Sequence, residues 1–272
     1  MYKFVDVNET AINRRMSIQT IINGVNLDAT LKGFTTLKVE GRELMSREVF
    51  NQNFSGSYSK KSNVNFSNRS IYTGSLLPPR DITVEFRVSA DGNKEYREVM
   101  EYLNYFLFNE NMSVQFTDDI KFEYTGNLLS VENAEQISNS TVNRFTIQCV
   151  DPFKYEKIDR KIEFTKELVF NNHSLYPFKI TSIYVTPLEN TDYLRIVNYS
   201  THDNITLAYH FKKGDNVVIH MGKNMSVSGN GIDLMPYLSL DSSIETFNLR
   251  EGNILASDTD CKVIINYKER RL

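Results

Sequence analysis

The sequence predicts a mainly β fold with one helix, divided into two domains. The N-terminal domain is expected to be β-sandwich-like, with the helix and a projecting hairpin arm, and the C-terminal domain to be a β-sandwich. The chain has 272 residues, which is more than one hydrophobic core usually organises. Only residues 93–109 repeat apolar side chains at helical spacing. The segments on both sides carry short alternating runs bounded by turn residues, and this pattern is typical of antiparallel strands.

The chain starts with a predicted hairpin and a third strand. Residues 17–22 and 25–27 are short extended runs separated by Asn23-Gly24. Asn and Gly adopt positive φ at low cost, so this pair predicts a tight turn between two strands. Phe34–Glu40 then alternates apolar and polar residues and stops at Gly41, which predicts the third strand.

Residues 51–75 predict a hairpin arm that projects from the first domain. The segment is rich in Asn, Ser and Gly, yet it keeps large apolar side chains. A flexible loop is the alternative, but loops of this length without structure are uncommon. Because apolar side chains gain little in water, we expect those of the arm to contact a neighbouring subunit. The candidate interface residues are Phe54, Tyr58, Phe66, Ile71 and Tyr72.

A strand and the helix follow Pro78-Pro79. Residues 81–88 place Ile82, Val84, Phe86 and Val88 on one face, which is the clearest strand pattern of the chain. Asp91 is predicted to cap the helix over 93–109, because its carboxylate can accept from free N–H groups. The helix buries a single apolar stripe, formed by Tyr96, Val99, Met100, Leu103, Phe106 and Leu107. Strands are expected again around Val114 and over 122–131 and 142–150.

The second half reads as strands alone. Short candidate strands cover 178–185, 193–197, 205–211, 217–221 and 261–267, with Gly-containing turns between them. Many short strands at this spacing favour a β-sandwich or jelly roll. We place the domain boundary in the charged stretch 154–161, which gives domains of 1–155 and 162–272.

Composition limits the function classes. The 31 Lys and Arg side chains are balanced by 34 Asp and Glu, so there is no general positive field to hold nucleic acid. Cys149 and Cys261 fall in different predicted domains, and two lone cysteines favour free thiols in a reducing compartment. Residues 1–13 do not resemble a signal peptide, and no apolar run approaches the ~18 residues of a membrane span. We expect a soluble protein made in a cytoplasm, without membrane contact.

Sequence motifs for chemistry are weak. The four histidines lack ligand spacing, so surface or packing roles are expected. Ser57 lies near Lys60 and Lys61, but a nucleophile needs a base held in place. The turn glycines at 229–231 precede no helix and cannot form a dinucleotide loop. The sequence therefore predicts no catalytic, metal-binding or cofactor-binding residue, and no cofactor. Arg42 and Arg80 are candidates for salt bridges within the fold.

Three motifs carry a resemblance to a known family. They are Gly41-Arg42 after the third strand, Arg80-Asp81-Ile82 at the entry to the strongest strand, and Cys149-Val150-Asp151-Pro152-Phe153-Lys154-Tyr155 at the close of the first half. In this order and spacing they resemble the N-terminal domain of the distal tail proteins of siphophages that infect Gram-positive bacteria. The second half resembles the galectin-like β-sandwich that often follows in this family, through its strand pattern and the stretches 248–254 and 264–267.

The resemblance implies a structural component of the phage tail tip, a distal tail protein that forms a homohexameric baseplate hub. The N-terminal domains would form a ring around a channel through which DNA passes without sequence-specific binding. The C-terminal domains would point outward. The implied partners are the tail tube protein on one side and a tail-associated or tail-fibre protein on the other, with a receptor-binding protein as a further partner. The protein would be assembled in the bacterial cytoplasm and reside in the virion tail tip, without enzymatic activity.

Two alternatives stay open at the level of sequence. A carbohydrate-binding adhesion module of the tail tip would contact the host cell wall through exposed aromatic side chains, although the chain contains no Trp. A cell-wall hydrolase would need a convergent pair of carboxylates in a cleft. Exposed aromatic residues in a groove of the second half would favour the first alternative, and activity on cell walls would favour the second.

Overall fold

The computed structural model describes residues 18–54, 69–132, 139–222 and 224–272, with the backbone alone at 51–54 and 69–73. These residues form two compact units, one ending at Lys154 and the other spanning Tyr155–Arg271. The strands up to the boundary are β1 (Thr20–Ile22), β2 (Val25–Asn26), β3 (Phe34–Glu40), β4 (Glu48–Phe54), β5 (Arg69–Leu76), β6 (Arg80–Ser89), β7 (Met112–Phe116), β8 (Phe122–Glu132), β9 (Ser140–Cys149) and β10 (Lys154–Glu156). The helices are α1 (Leu27–Thr30) and α2 (Asn93–Leu107). The mainly β fold with one long helix is confirmed for the described residues.

The first unit is built on a sheet in the order β2-β1-β7-β8-β9-β6-β3. Asn23 and Gly24 connect β1 to β2 with φ of 50° and 80°, so the predicted turn is confirmed. Strand β8 serves two neighbours, because residues 124–126 pair with β7 and residues 127–132 pair with β9. This shared strand lets the sheet curve around one core. The strongest predicted strand is confirmed, since Ile82, Val84, Phe86 and Val88 are all buried on one face of β6.

Helix α2 covers the core side of this sheet. Its predicted apolar stripe is confirmed, with Tyr96, Val99, Leu103 and Leu107 buried and Met100 and Phe106 partly buried. Burying such side chains stabilises the unit by about 1.5–3 kcal/mol each. The predicted cap is wrong. The helix begins at Asn93, so the capping position falls on Gly92, and no side chain caps it. Asp91 instead lies in solvent, 3.6 Å from the ammonium group of Lys32.

The predicted arm begins earlier than the sequence suggested. Strands β4 and β5 form a separate two-stranded antiparallel sheet, paired from Glu48 opposite Leu76 to Phe54 opposite Arg69 with a register shift between Phe50 and Asn51. Residues 55–68, between the strands, lie outside the described residues. The paired, extended backbone of the two strands agrees with the hairpin arm that the sequence predicted.

The second unit is a sandwich of two sheets. Its strands are β11 (Arg160–Phe164), β12 (Glu167–Val169), β13 (Lys179–Pro187), β14 (Leu194–Asn198), β15 (Asp203–Leu207), β16 (Val217–His220), β17 (Ser226–Gly229), β18 (Ile232–Asp233), β19 (Ile254–Ser257), β20 (Cys261–Lys268) and β21 (Arg270–Arg271). One sheet runs β11-β20-β13-β16-β17-β18 and the other β12-β19-β14-β15. Phe170, Phe178 and Tyr267 meet edge to face in the core between them, with ring centroids 5.2–5.3 Å apart.

Local pattern missed the strands that lack clear alternation. The charged stretch at 154–161, in which the domain boundary was placed, contains β10 and the start of β11. In this stretch the guanidinium of Arg160 donates hydrogen bonds to the carboxylates of Glu156 and Glu269, at 2.7 Å each. Arg160 therefore forms both of these ion pairs within the second unit. Among the described residues, no helix has the length and apolar character needed to cross a bilayer.

Candidate functional site

The predicted interface residues fall on the arm, and the structure describes them only in part. Phe54 closes the β4–β5 ladder opposite Arg69, while Ile71 and Tyr72 pair through their backbones with Gln52 and Asn51. Tyr58 and Phe66 lie outside the described residues. Three apolar side chains at the root of the arm are about half exposed, with Val49 at 55%, Phe50 at 46% and Leu76 at 45%.

A buried arginine brings the three sequence motifs together in the first unit. Arg80 is only 1% exposed. Its Nε donates to the carbonyl oxygen of Pro152 at 2.9 Å, and its Nη1 donates to the carbonyl oxygen of Gly41 at 2.8 Å. The guanidinium also lies 5.6 Å from the centre of the Tyr124 ring, within range for a cation–π contact. The predicted salt bridge of Arg80 is wrong, because its hydrogen bonds go to backbone carbonyls. We call Arg80, Gly41, Pro152, Tyr124 and Cys149 the Arg80 cluster.

Glycine is required at two positions around this cluster. Gly41 has φ of +85°, and a Cβ added there would lie 2.0 Å from the carbonyl oxygen of Asp81. A Cβ on Gly126 would lie 2.7 Å from the carbonyl oxygen of Gln148 and 2.9 Å from the sulfur of Cys149. Backbone segments that are distant in sequence therefore approach each other more closely than any side chain would allow.

Arg42 makes the salt bridge that the sequence suggested. Its guanidinium donates two hydrogen bonds to the carboxylate of Asp118, at 2.8 and 2.7 Å, and stacks 4.5 Å from the centre of the Phe116 ring. The hydrogen bonds from Arg42 hold the pKa of Asp118 below its usual range. A second ion pair lies beside it, between Lys154 and Asp119 at 2.7 Å. Two signature segments are thus tied to the turn after β7.

Burial controls the titration of the remaining groups of the cluster. It raises the pKa of the Cys149 thiol to about 12, although the positive charge of Arg80 opposes the shift. Burial also raises the pKa of the Tyr124 hydroxyl. Both groups are therefore neutral at physiological pH, and a protonated buried thiol is a poor nucleophile. The Arg80 cluster is an internal clamp that fixes chain segments.

Two pockets lie on the surface of the units. The first, here called the helix pocket, has a volume of about 320 Å³ and lies between residues 30–33, the end of β6 and the first turns of α2. Its lining combines Leu31, Val99 and Tyr102 with charged side chains. The second, here called the sandwich pocket, has about 220 Å³ and is lined by Tyr209, His210 and neighbouring polar residues of the second unit.

The histidines occupy the surface positions that were expected. The side chain of His210 lies 2.7 Å from that of Asp192, and the side chain of His173 lies 2.5 Å from that of Glu251. The two histidines and their two acidic partners are each at least half exposed. His220 ends β16 on the surface. Among residues 18–54, 69–132, 139–222 and 224–272, no three potential metal ligands come together. Cys149 and Cys261 are free and buried in separate units, as predicted.

Family models match both halves of the chain. The phage tail protein RIFT-related domain matches residues 30–166, which is half of the sequence. The siphovirus-type tail component, C-terminal domain, matches residues 176–270. The chain belongs to the siphovirus tail component family. This tail component is a distal tail protein and resides in the tail tip of the virion, as the sequence resemblance implied.

Solved structures share the fold of this tail component. The crystal structure of the SPP1 Dit protein (gp 19.1) superposes with a TM-score of 0.74, over 93% of this chain and 99% of that chain, at 19% sequence identity. A chain of the phage P2 baseplate in its activated conformation with Ca superposes with a TM-score of 0.51, over 94% of this chain and 99% of that chain, at 11% identity. No curated protein sequence matches the tail component.

Several residues at or beside the Arg80 cluster were not predicted from the sequence. Asp118 and Asp119 had no local signal, since they follow a strand as ordinary turn residues. Pro152 accepts the hydrogen bond of Arg80 through its backbone carbonyl oxygen, a group that every residue type has, so its identity gave no signal of this contact. In the sequence, only the order and spacing of the family motifs pointed to these segments. That spacing indicated that the segments belong to a family pattern, but not that they contact one another in the fold.

Proposed function

We propose that this tail component forms a homohexameric ring that serves as the hub between the tail tube and the host-adhesion apparatus. The first units form the ring around the DNA channel, and the second units carry tail-associated, fibre or receptor-binding proteins. The SPP1 Dit protein, which shares the fold, is described as a paradigm of the hub adsorption apparatus in Gram-positive infecting phages. The proposal includes no catalytic step, because the buried groups of the Arg80 cluster are engaged in holding the fold.

The arm carries the proposal. Strands β4 and β5 hydrogen-bond only to each other among the described strands, and the root exposes Val49, Phe50 and Leu76. Complete burial of such side chains is worth about 1.5–3 kcal/mol each, so burying their exposed halves against a neighbour contributes roughly 1 kcal/mol each. Those contributions, together with Phe54, Tyr58, Phe66, Ile71 and Tyr72, offset the entropy lost when subunits join. A contact repeated around a closed ring acts once in every subunit.

Deleting residues 53–70 tests the arm. The deletion should leave both units folded but prevent assembly, so the shortened protein should stay a monomer, whereas six copies of the intact 31.5 kDa chain give about 189 kDa. Native mass spectrometry reports the mass, and complementation of a phage lacking the gene reports tail assembly. If the shortened protein still forms hexamers and infectious particles, the arm is not the contact.

Point variants refine the same test without shortening the chain. Leu76→Ser at the arm root should weaken each contact by about 1 kcal/mol, which is roughly five-fold in affinity. Leu240→Ser is the matched control, because Leu240 is fully exposed in the second unit. Equal effects of the two substitutions would exclude the arm root from the contact. An intact protein that stays monomeric even with its tail partners would contradict the ring itself.

The sandwich pocket supports a second candidate, binding of host saccharide. Tyr209 in its lining packs 4.8 Å from the Tyr237 ring, which is 44% exposed, so an aromatic surface lies beside the polar rim. Asp215 and Asn230 of the rim are hydrogen-bonded to each other at 2.8 Å. Aromatic faces next to fixed polar groups suit sugar rings.

Glycan binding by the full-length protein tests this candidate. Tyr209→Ala, in the pocket lining, should abolish binding to cell-wall glycans on an array, while Tyr199→Ala should not, because Tyr199 lies away from the pocket lining. Absence of any glycan binding by the unaltered protein would rule the candidate out and leave the hub proposal untouched.

A further inference from the structure

The helix pocket combines an apolar floor with an acidic rim. Leu31 and Val99 are 5% and 7% exposed and form the floor, while Tyr102 stands at the edge with 60% exposure. Three carboxylates line the pocket against one ammonium group, and the four residues are Asp91, Glu95, Glu98 and Lys32. The pocket therefore suits a ligand that brings apolar side chains together with positive charge, and it repels polyanions.

An exposed aromatic row on helix α2 extends the pocket. Tyr102 and Tyr105 of α2 and Phe108, the residue after its last turn, recur at three-residue intervals and are 60%, 70% and 91% exposed. Glu101 adds another carboxylate next to this row. A row of exposed aromatic side chains contiguous with a pocket is typical of a protein-docking surface.

The tip of the arm has the complementary chemistry. Residues 55–68, which lie outside the described residues, contain Lys60 and Lys61 and no acidic side chain. The same stretch contains Tyr58, Val64 and Phe66. The other long segment outside the described residues, 1–17, is less suitable, because it carries acidic side chains among its basic ones. The absence of acidic side chains therefore favours the arm tip as the occupant of the helix pocket, and its apolar side chains suit the floor.

Strand β6 separates the arm root from the helix pocket. The chain enters β6 from the arm at Arg80, and the strand ends in the pocket lining at Ser89. Nine steps of ~3.3 Å lie between these residues, which is about 30 Å. A subunit thus has its arm at one end of β6 and the acceptor at the other. Two different complementary surfaces on opposite ends are what a head-to-tail contact needs to close a ring.

We propose that the arm tip, residues 55–68, of one copy docks into the helix pocket of a second copy. Lys60 and Lys61 face the carboxylates of the rim, and the apolar side chains of the tip cover Tyr102 and the floor. This inference rests on the proposed ring and names the surface that receives the arm. It makes α2 part of the interface between neighbouring subunits.

Cysteine cross-linking between two differently substituted chains tests the contact directly. One full-length chain carries Tyr102→Cys and the other carries Lys61→Cys. Mixed under mild oxidation, they should form a disulfide-linked dimer with higher yield than either chain alone. The native thiols Cys149 and Cys261 are fully buried and contribute little background. The control pairs Lys61→Cys with Tyr199→Cys, which is exposed on the second unit.

Charge exchange provides a second, independent measurement. Reversing the tip with Lys60→Glu and Lys61→Glu, or the rim with Glu95→Lys and Glu98→Lys, should each weaken self-association at least ten-fold. Combining all four substitutions in one chain should restore most of the loss. Glu189→Lys with Glu245→Lys, on exposed positions of the second unit, is the control for net charge.

The outcomes separate this inference from the ring proposal. Hexamers without the Tyr102–Lys61 cross-link and without charge rescue would overturn the helix pocket as acceptor and leave the ring standing. If the two chains form no mixed dimer but a third chain carrying both substitutions forms the disulfide within itself, docking between copies would be overturned. An intermolecular cross-link in an assembly of another stoichiometry would support the pocket and overturn the hexamer. If the protein forms neither the cross-link nor any assembly, both the docking into the helix pocket and the ring proposal are overturned.

Discussion

Replacing Arg80 by Met tests whether the Arg80 cluster holds the first unit together. Met preserves the length and apolar character of the side chain and removes the guanidinium. The carbonyl oxygens of Pro152 and Gly41 then lose their donors in a buried environment. The cation–π contact with Tyr124 is lost as well. Three chain segments that meet at one side chain would thereby lose their common partner.

The expected magnitude follows from these contacts. A buried carbonyl left without a donor costs about 1–3 kcal/mol, and two of them are affected. Loss of the contact with the Tyr124 ring adds about 0.5–2 kcal/mol. The native protein, however, also bears the cost of burying a guanidinium without a carboxylate partner, and the variant is relieved of that cost. We expect a net destabilisation of about 3 kcal/mol, or a melting temperature lower by roughly 9 °C for a unit of this size.

Hydrogen exchange monitored by mass spectrometry measures the effect in the full-length protein. Peptides from β6 and β9 should exchange faster in the variant, while peptides from β13 and β20 of the second unit should not change. Arg87→Met is the matched control, since Arg87 lies on the same strand with its side chain exposed. Arg80→Lys should fall between the two, because a single ammonium group does not reproduce the fixed geometry of two guanidinium donors.

A specific result would refute this reasoning. If Arg80→Met changed the stability of the first unit no more than Arg87→Met, the two carbonyl hydrogen bonds would contribute nothing beyond the cost of burying the charge. If the variant were more stable, the guanidinium would be a net burden on the fold. In both cases the convergence of the family motifs would need a different cause.

Three further predictions concern titration and domain independence. Asp118→Asn should remove part of the acid sensitivity of the first unit. The salt bridge with Arg42 lowers the pKa of Asp118, so its stabilising effect is present above the pKa of Asp118 in the unfolded chain and is lost as pH falls through the lowered value. The free energy of unfolding of the two proteins should differ by about 1 kcal/mol or less, measured by denaturation at neutral and acidic pH. Cys149 should resist alkylation until the protein unfolds. Because burial raises the pKa of its thiol to about 12, the stability of the first unit should fall as pH rises above about 9, and this fall should be less steep in Cys149→Ala. A fragment of residues 155–272 should fold as an all-β domain by circular dichroism. A fragment of 161–272 should be less stable by about 1 kcal/mol, because it lacks Arg160, the partly exposed partner of Glu269. Appreciable helix, or equal stability of the two fragments, would contradict this.

Local sequence patterns predicted the elements whose burial repeats regularly. The alternation over 81–88 gave β6, and the apolar stripe over 93–109 gave α2, because each reports which face of one element avoids water. The turn at Asn23-Gly24 was predictable for a related reason, since positive φ is tolerated by few residue types. Strands β10 and β12 were missed because short, partly exposed strands carry no such alternation.

The candidate site was predictable only as a set of motifs. The sequence indicated that Gly41, Arg80 and Pro152 belong to a family pattern, and the arm residues were expected to meet a neighbour. It did not indicate that Arg80 donates to the other two, because backbone carbonyls are present at every position. Nor did it predict the partner of Arg42, since Asp118 is one of many acidic turn residues.

The sequence by itself therefore determined the mainly β class, the single long helix, the turn positions and the tail-component family, all of which depend on local periodicity or on motif order. The tertiary structure alone decided which distant groups meet: that Arg80 binds two carbonyls, that Asp118 pairs with Arg42, and that a pocket with an acidic rim forms beside α2. The physical reason is that backbone propensity acts between neighbours in the chain. Hydrogen bonds, ion pairs and pockets act between neighbours in space, and their positions are fixed only when the strands are assembled into sheets.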